Sequence, residues 1–281
     1  MLELLLGPKR AERRPVEMLF VGIFYSLVSL ILANWIFGDG VLADYMGMIV
    51  ITFVVMFTMP FMYYLLRHEE EKDIKYRGKF KVIKEHSKAI SSLLWLFVGF
   101  VVAFSLWYVV TGNTQNFNAQ IETYCYINHP SNFDLCTQEY GAGITGKVIS
   151  ISTERFMTIF LNNIYVLMFT LIFSLIFGAG AIFILAWNAS VIAVAVGIFS
   201  RTSLRLWPLG LAKYMVHGLP EIAAYFVAAV AGGILSMAIV KQDFSKDRIK
   251  DVLHDFITLV FIAIVLLFLA GVLEVALAGR F

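Results

Sequence analysis

Apolar runs of near 20 residues recur along the whole chain, separated by short polar or charged stretches, and they constrain this sequence more than any motif in it. A helix rising 1.5 Å per residue needs about 20 such residues to cross roughly 30 Å of hydrocarbon. Inside lipid, every backbone N–H and C=O must be paired within the protein. Crossing segments are therefore helices unless alternating strands of about ten residues are present, and none is seen here. The predicted fold class is all-α, a polytopic transmembrane helical bundle. Composition agrees, with 60% hydrophobic and 15% charged residues, against about 45–50% and about 25% in soluble domains.

The first apolar run, Met18 to Phe37, follows Lys9, Arg10, Arg13 and Arg14. This resembles a signal peptide, but the run exceeds the usual h-region of about 7–15 residues, so a retained first span is expected. A turn over Gly38 to Asp44 leads to a second run, Tyr45 to Leu66, which predicts a hairpin. Residues Arg67 to Lys88 hold eight Lys or Arg among Glu69, Glu70, Glu71, Asp73 and Glu85, and read as a cytoplasmic loop. A third span, Ala89 to Val110, delivers a polar loop over 111–157, expected on the exocytoplasmic side.

The stretch from Thr158 to Phe199 decides the topology, because it crosses the membrane either once or twice. The positive-inside rule does not separate the two, since both place sixteen of the 22 Lys and Arg residues inside. Length favours two crossings: an unbroken helix of 42 residues would be about 63 Å long, twice the hydrocarbon thickness. Gly178 and Gly180 mark the expected bend. A link with Arg201, Arg205 and Lys213, a span from Leu219 to Val240, a basic loop to His254 and a last span, Phe256 to Leu277, complete the chain. The expectation is about seven spans, or six if 158–199 crosses once. The N-terminus would be cytoplasmic and the C-terminus exocytoplasmic in the cell membrane.

Several function classes find no support. The net charge is +2 and no basic stripe with interleaved aromatics occurs, so no nucleic-acid partner is expected. There is no Walker-type loop, dinucleotide fingerprint or nucleophile elbow. No cofactor is called for, and the expected partners are the lipid bilayer and other membrane or envelope proteins.

Cys125 and Cys136 are the only cysteines. Both fall in the loop assigned outside the cytoplasm, where a disulfide persists. A disulfide is the favoured reading, with two free thiols as the alternative.

Ionisable and amide side chains at bilayer depth need a partner or a purpose. In His217-Gly218-Leu219-Pro220-Glu221 the His and Glu stand four residues apart, and so share a helix face. Pro220 suits the first turn of a helix, which would put His217 at its start and Glu221 in its first turn. With the expected topology, Asn162, Asn163, His217, Glu221 and Glu274 all fall at one outward-facing level. Asn188 lies deeper and calls for an interhelical partner.

Three readings of this polar layer stay open. In the first the residues are structural, capping helices and bonding across the bundle; in the second they bind or conduct a small solute, an ion or a lipid headgroup; in the third His217, Glu221 and Glu274 hold a metal for hydrolysis. The last lacks a second helix-borne His, and His86 and His254 belong to the opposite side. Small residues at Gly178, Gly180, Gly218, Gly232 and Gly233 suit helix bends and close packing, within one bundle in preference to a homodimer.

The ordered set Phe160-Leu161-Asn162-Asn163, Gly178-Ala179-Gly180, Asn188, His217-Gly218-Leu219-Pro220-Glu221 with Ala223, and Gly232-Gly233 resembles the SpoIIM (stage II sporulation protein M) family. The resemblance covers roughly residues 90 to 281. It implies an integral membrane scaffold, which in spore-forming bacteria recruits peptidoglycan-remodelling partners during engulfment. The family's Asn-Asn and His-Gly-x-x-Glu positions carry over to Asn162, Asn163, His217, Gly218 and Glu221. Residues 1–88, a two-helix hairpin plus charged loop, read as an N-terminal addition to a family core over 89–281.

Overall fold

A computed structural model describes residues 7–38, 42–75, 82–128, 132–142, 153–177, 180–240 and 246–277. Among the described residues every regular element is a helix. Helix α1 (Pro8–Arg13) opens on a proline, whose missing N–H costs nothing at that position. In α2 (Glu17–Phe37), Glu17 of the first turn accepts from Arg10 at 2.9 Å and Arg14 at 3.1 Å. A 3₁₀ turn, Ala43–Tyr45, leads into α3 (Met46–Lys75).

Helix α4 (Val82–Thr111) ends where Gly112 takes the left-handed conformation, φ 63°, with its N–H on the Tyr108 carbonyl. After a 3₁₀ turn, Gln115–Phe117, two short helices, α5 (Asn118–Asn128) and α6 (Phe133–Ala142), form a cap on this end of the bundle. The remaining helices are α7 (Thr153–Phe177), α8 (Ala181–Ser200), α9 (Trp207–Val240, after a 3₁₀ turn at Leu204–Leu206) and α10 (Lys246–Leu277). Cys125 and Cys136 are joined in a disulfide that ties α5 to α6. Closing so short a loop stabilises the cap by about 3 kcal/mol in the chain-entropy account.

Side-chain pairs set the direction of each helix. Asn163 meets Glu221 while Ser174, eleven residues on, meets Ala229, so α7 and α9 run parallel. Gly210 packs on Phe199 and Gly218 on Ile192, so α8 runs opposite to α9. The 158–199 stretch is therefore an α7–α8 hairpin that reverses between Phe177 and Ala181, with Gly180 at the N-cap of α8 and Gly178 outside the described residues. Trp207 bonds Ser105 and Phe226 packs on Phe97, which makes α4 antiparallel to α9.

Among the described residues, six helices are each long and apolar enough to cross a membrane, and a shorter apolar stretch, Phe160–Ile176, lies within α7. The protein is accordingly a multi-pass helical membrane protein. Helix α9 is its axis: 83% of its membrane window is buried, against 28% for α10 at the periphery.

Two helices continue well past their apolar runs. The segment beyond Leu66, expected as a solvated loop, is still α3 as far as Lys75, and α4 already begins at Val82. As a result Glu69 and His86 are not solvated: both are fully buried, with His86 Nδ1 2.6 Å from Glu69 Oε2. A buried charge or ring nitrogen survives there because each supplies the other's partner.

Helices α2 and α4 cross in backbone contact. Gly22 of α2 and Gly99 of α4 face each other, and a Cβ on either would run into a backbone carbonyl, of Leu96 and Leu19 respectively. Only glycine permits this crossing. Ser92 then ties α4 to α1 by donating to the Ala11 carbonyl at 2.9 Å.

Candidate functional site

Helix α9 starts thirteen residues before Pro220, with Pro208 as its second residue. Pro220 is therefore inside the helix and not in its first turn, as the apolar pattern had suggested. The reason is that the amphipathic link from Trp207 onward is already helical against α8, while the membrane window itself begins only at Gly218. His217 and Glu221 still stand one turn apart. The side chains of His217 and Glu274 lie outside the described residues.

Glu221 meets α7 directly. The Asn163 amide donates from Nδ2 to Glu221 Oε1 at 2.6 Å, and the Tyr225 hydroxyl donates to Asn163 Oδ1 at 3.1 Å. Because Glu221 and Tyr225 are one turn apart on α9, a single amide from α7 clasps both. Asn163 is 8% exposed and Tyr225 2%, whereas Glu221 is half-buried. Both hydrogen bonds run toward the carboxylate, so each polarises the next. Below this clasp, Ser174 donates to the Ala229 carbonyl, and Gly232 lets the helices close: a Cβ there would stand 2.9 Å from the Leu171 carbonyl oxygen.

The other layer residues are placed differently. Asn162 is exposed on the outer face of α7, beside Leu161 and Tyr165, which are also exposed. The Asn188 amide nitrogen donates to the Ile184 carbonyl of its own helix at 2.7 Å, and among the described residues no bond from it to another helix is seen. The expectation of a cross-bundle partner overlooked that an i−4 carbonyl is always within reach of a short amide side chain. The backbone at Glu274 is six residues past Phe268, whose ring meets Phe160. That carries it about 9 Å further toward the disulfide end.

Gly233 is in tight contact with Leu66 of α3, but a Cβ at Gly218 would meet only Ile192 at an ordinary 3.5 Å. Gly232 and Gly233 thus use their small faces inside the bundle. Among the described residues, no group of three or more His, Cys, Asp or Glu side chains is disposed to hold a metal ion. Tyr225 was missed by sequence reasoning because a tyrosine in an apolar run reads as core. Its one usable signal is its position, one turn after Glu221.

At the disulfide end, the cap is sealed by aromatic residues. Tyr124 of α5 shares a hydrogen bond with Tyr214 of α9, and burial raises both hydroxyls above the usual tyrosine range. Arg201 donates to the Glu139 carbonyl at 3.3 Å, joining the end of α8 to α6.

The family model described as stage II sporulation protein M matches residues 92–278, from the first third of α4 to just beyond α10. No curated protein and no solved structure matches the chain. The matched stretch covers well over half of the sequence and contains the clasp of Asn163, Glu221 and Tyr225 together with the disulfide cap, so the chain belongs to the SpoIIM family.

Proposed function

We propose that this protein is a non-enzymatic membrane scaffold, a rigid helical assembly that holds other membrane or envelope proteins in place. The observation that supports this reading is the closure of the clasp. Both described hydrogen bonds of Asn163 go to α9, so this polar contact joins helix to helix. A bundle locked in this way presents a fixed outer surface, as an assembly partner requires. Any homodimer would have to use a face other than Gly232 and Gly233, whose space is filled by Ser174, Leu171 and Leu66.

We place the disulfide end outside the cytoplasm. The N-terminus would then be cytoplasmic and the C-terminus exocytoplasmic, because disulfides persist in oxidising compartments and the basic segment 67–88 belongs inside. A second reading, binding of a small solute, ion or lipid headgroup at the clasp, draws on the half-buried Glu221 and on the exposed Asn162, the residue before Asn163.

Two measurements test the scaffold, the first on the full chain extracted together with its native membrane and the second on the purified chain. Native mass spectrometry from polymer nanodiscs is expected to show discrete complexes with other proteins, and reconstituted vesicles are expected to leak no ions or small solutes above empty ones. Flux that Glu221→Gln abolishes would replace the scaffold by the solute reading. Stoichiometric zinc in the purified protein would overturn both in favour of a metal-dependent hydrolase.

A further inference from the structure

Three contacts fix the depth of the short helix α1. The chain leaves helical geometry at Arg14 (φ −137°, ψ 67°), and Arg10 reaches Glu17, the first residue of α2, at 2.9 Å. Glu12 Oε1 lies 3.6 Å from Nε2 of His68, next to the last residue of the membrane-length span in α3. The Ala11 carbonyl accepts from Ser92, in the second turn of the span in α4. All three partners stand where an apolar span begins or ends, at the end of the bundle away from the disulfide, which puts α1 at headgroup depth.

The outward side of α1 is basic. Ala11 is the buried residue of this helix. Lys9 and Arg13 stand two residues before and after it, about 200° around the axis, and both are exposed. Among the described residues neither cation has an acidic partner, because Glu12 turns to His68 and Glu17 to Arg10 and Arg14. Beyond this pair, Val16, Phe20 and Phe24 recur every fourth residue and are all exposed, so one apolar stripe of α2 starts beside the cations and faces away from the bundle.

We propose that the outward face of α1 binds the headgroup of an anionic phospholipid, with Lys9 and Arg13 on its phosphate and the acyl chains along Val16, Phe20 and Phe24. Two cations one turn apart suit a phosphodiester that carries net negative charge. A zwitterionic headgroup brings its own ammonium, which the same pair repels. The stripe selects a lipid over a free anion, since only a lipid has chains to cover it. The site lies ahead of the family-matched residues 92–278, apart from the clasp, and does not depend on the scaffold reading.

The test uses the purified full chain in mixed micelles with equal amounts of phosphatidylglycerol and phosphatidylcholine of the same acyl chains, and native mass spectrometry to read the lipid retained. The parent is expected to retain phosphatidylglycerol in preference. A basic side chain at an anionic surface is worth about fivefold in binding, so K9Q/R13Q should weaken the first-bound phosphatidylglycerol by about 25-fold. R205Q/K250Q removes the same charge from two other exposed positions and should leave it unchanged. Equal losses in the two double variants would reduce the effect to net charge and overturn the site, as would a parent without preference. Displacement of the lipid by millimolar glycerol phosphate would replace it with a free anion.

A photoactivatable phosphatidylglycerol locates the site in the unaltered chain. Labelling is expected between residues 9 and 24, and labelling confined to other segments would overturn the proposal.

Discussion

Two parallel helix pairs hold this bundle, and they do so by opposite means. In the first, α2 against α4, Gly22 and Gly99 bring the backbones together until no side chain fits between them. In the second, α7 against α9, the helices are joined by Asn163, Glu221 and Tyr225, with Ser174 and Gly232 lower down. The dry crossing draws on dispersion and backbone proximity, which tolerate no added atom. The polar clasp draws on hydrogen bonds, which tolerate volume but require donor and acceptor to match. The clasp lies in the family-matched stretch, whereas Gly22 lies before it, so the first pair joins the N-terminal helix to the matched region.

The difference can be broken from either side. Adding one methyl at the dry crossing should have the largest effect. Gly22→Ala or Gly99→Ala forces a backbone carbonyl to move, at the upper end of overpacking costs, about 3 kcal/mol. Thermal unfolding in detergent should show a loss of this size for both, and a variant as stable as the parent would mean that the helices are not in contact there.

Asn163→Leu should come next. It keeps the volume but removes the clasp and leaves the carboxylate without its amide donor, at about 1–3 kcal/mol. A double-mutant cycle with Glu221→Gln should show coupling between the two positions; additive effects would argue that the pair does not interact. Tyr225→Phe is expected to be the mildest, about 0.6 kcal/mol, since it deletes one neutral bond between helices. A larger loss than that of Asn163→Leu would reverse the order of the chain and make the hydroxyl its anchor.

Much of the clasp was legible in advance, because polar residues in apolar runs are conspicuous: Asn163 and Glu221 could be named from residue type and position alone. Tyr225 could not, since a ring with one hydroxyl blends into the core. Asn188 was conspicuous and misleading, as its own helix satisfies its amide. Gly22 and Gly99 carried a signal that went unused: each is followed four residues later by another small residue, Ser26 and Ala103, the spacing that lets helices approach closely. The buried pair of Glu69 and His86 left no trace in a charged segment where every neighbour looks equally solvated.

By itself, the sequence determined the membrane, the helical class and the break of residues 158–199 into two helices, because hydrocarbon thickness and backbone hydrogen bonding dictate helices for apolar runs of that length. The tertiary structure decided which helices run side by side and therefore which polar residues meet. Spacing along one helix puts Glu221 and Tyr225 on a common face, but only the parallel packing of α7 brings Asn163 between them. Contacts between distant segments depend on how whole helices fill space together, a property that no single run of residues carries.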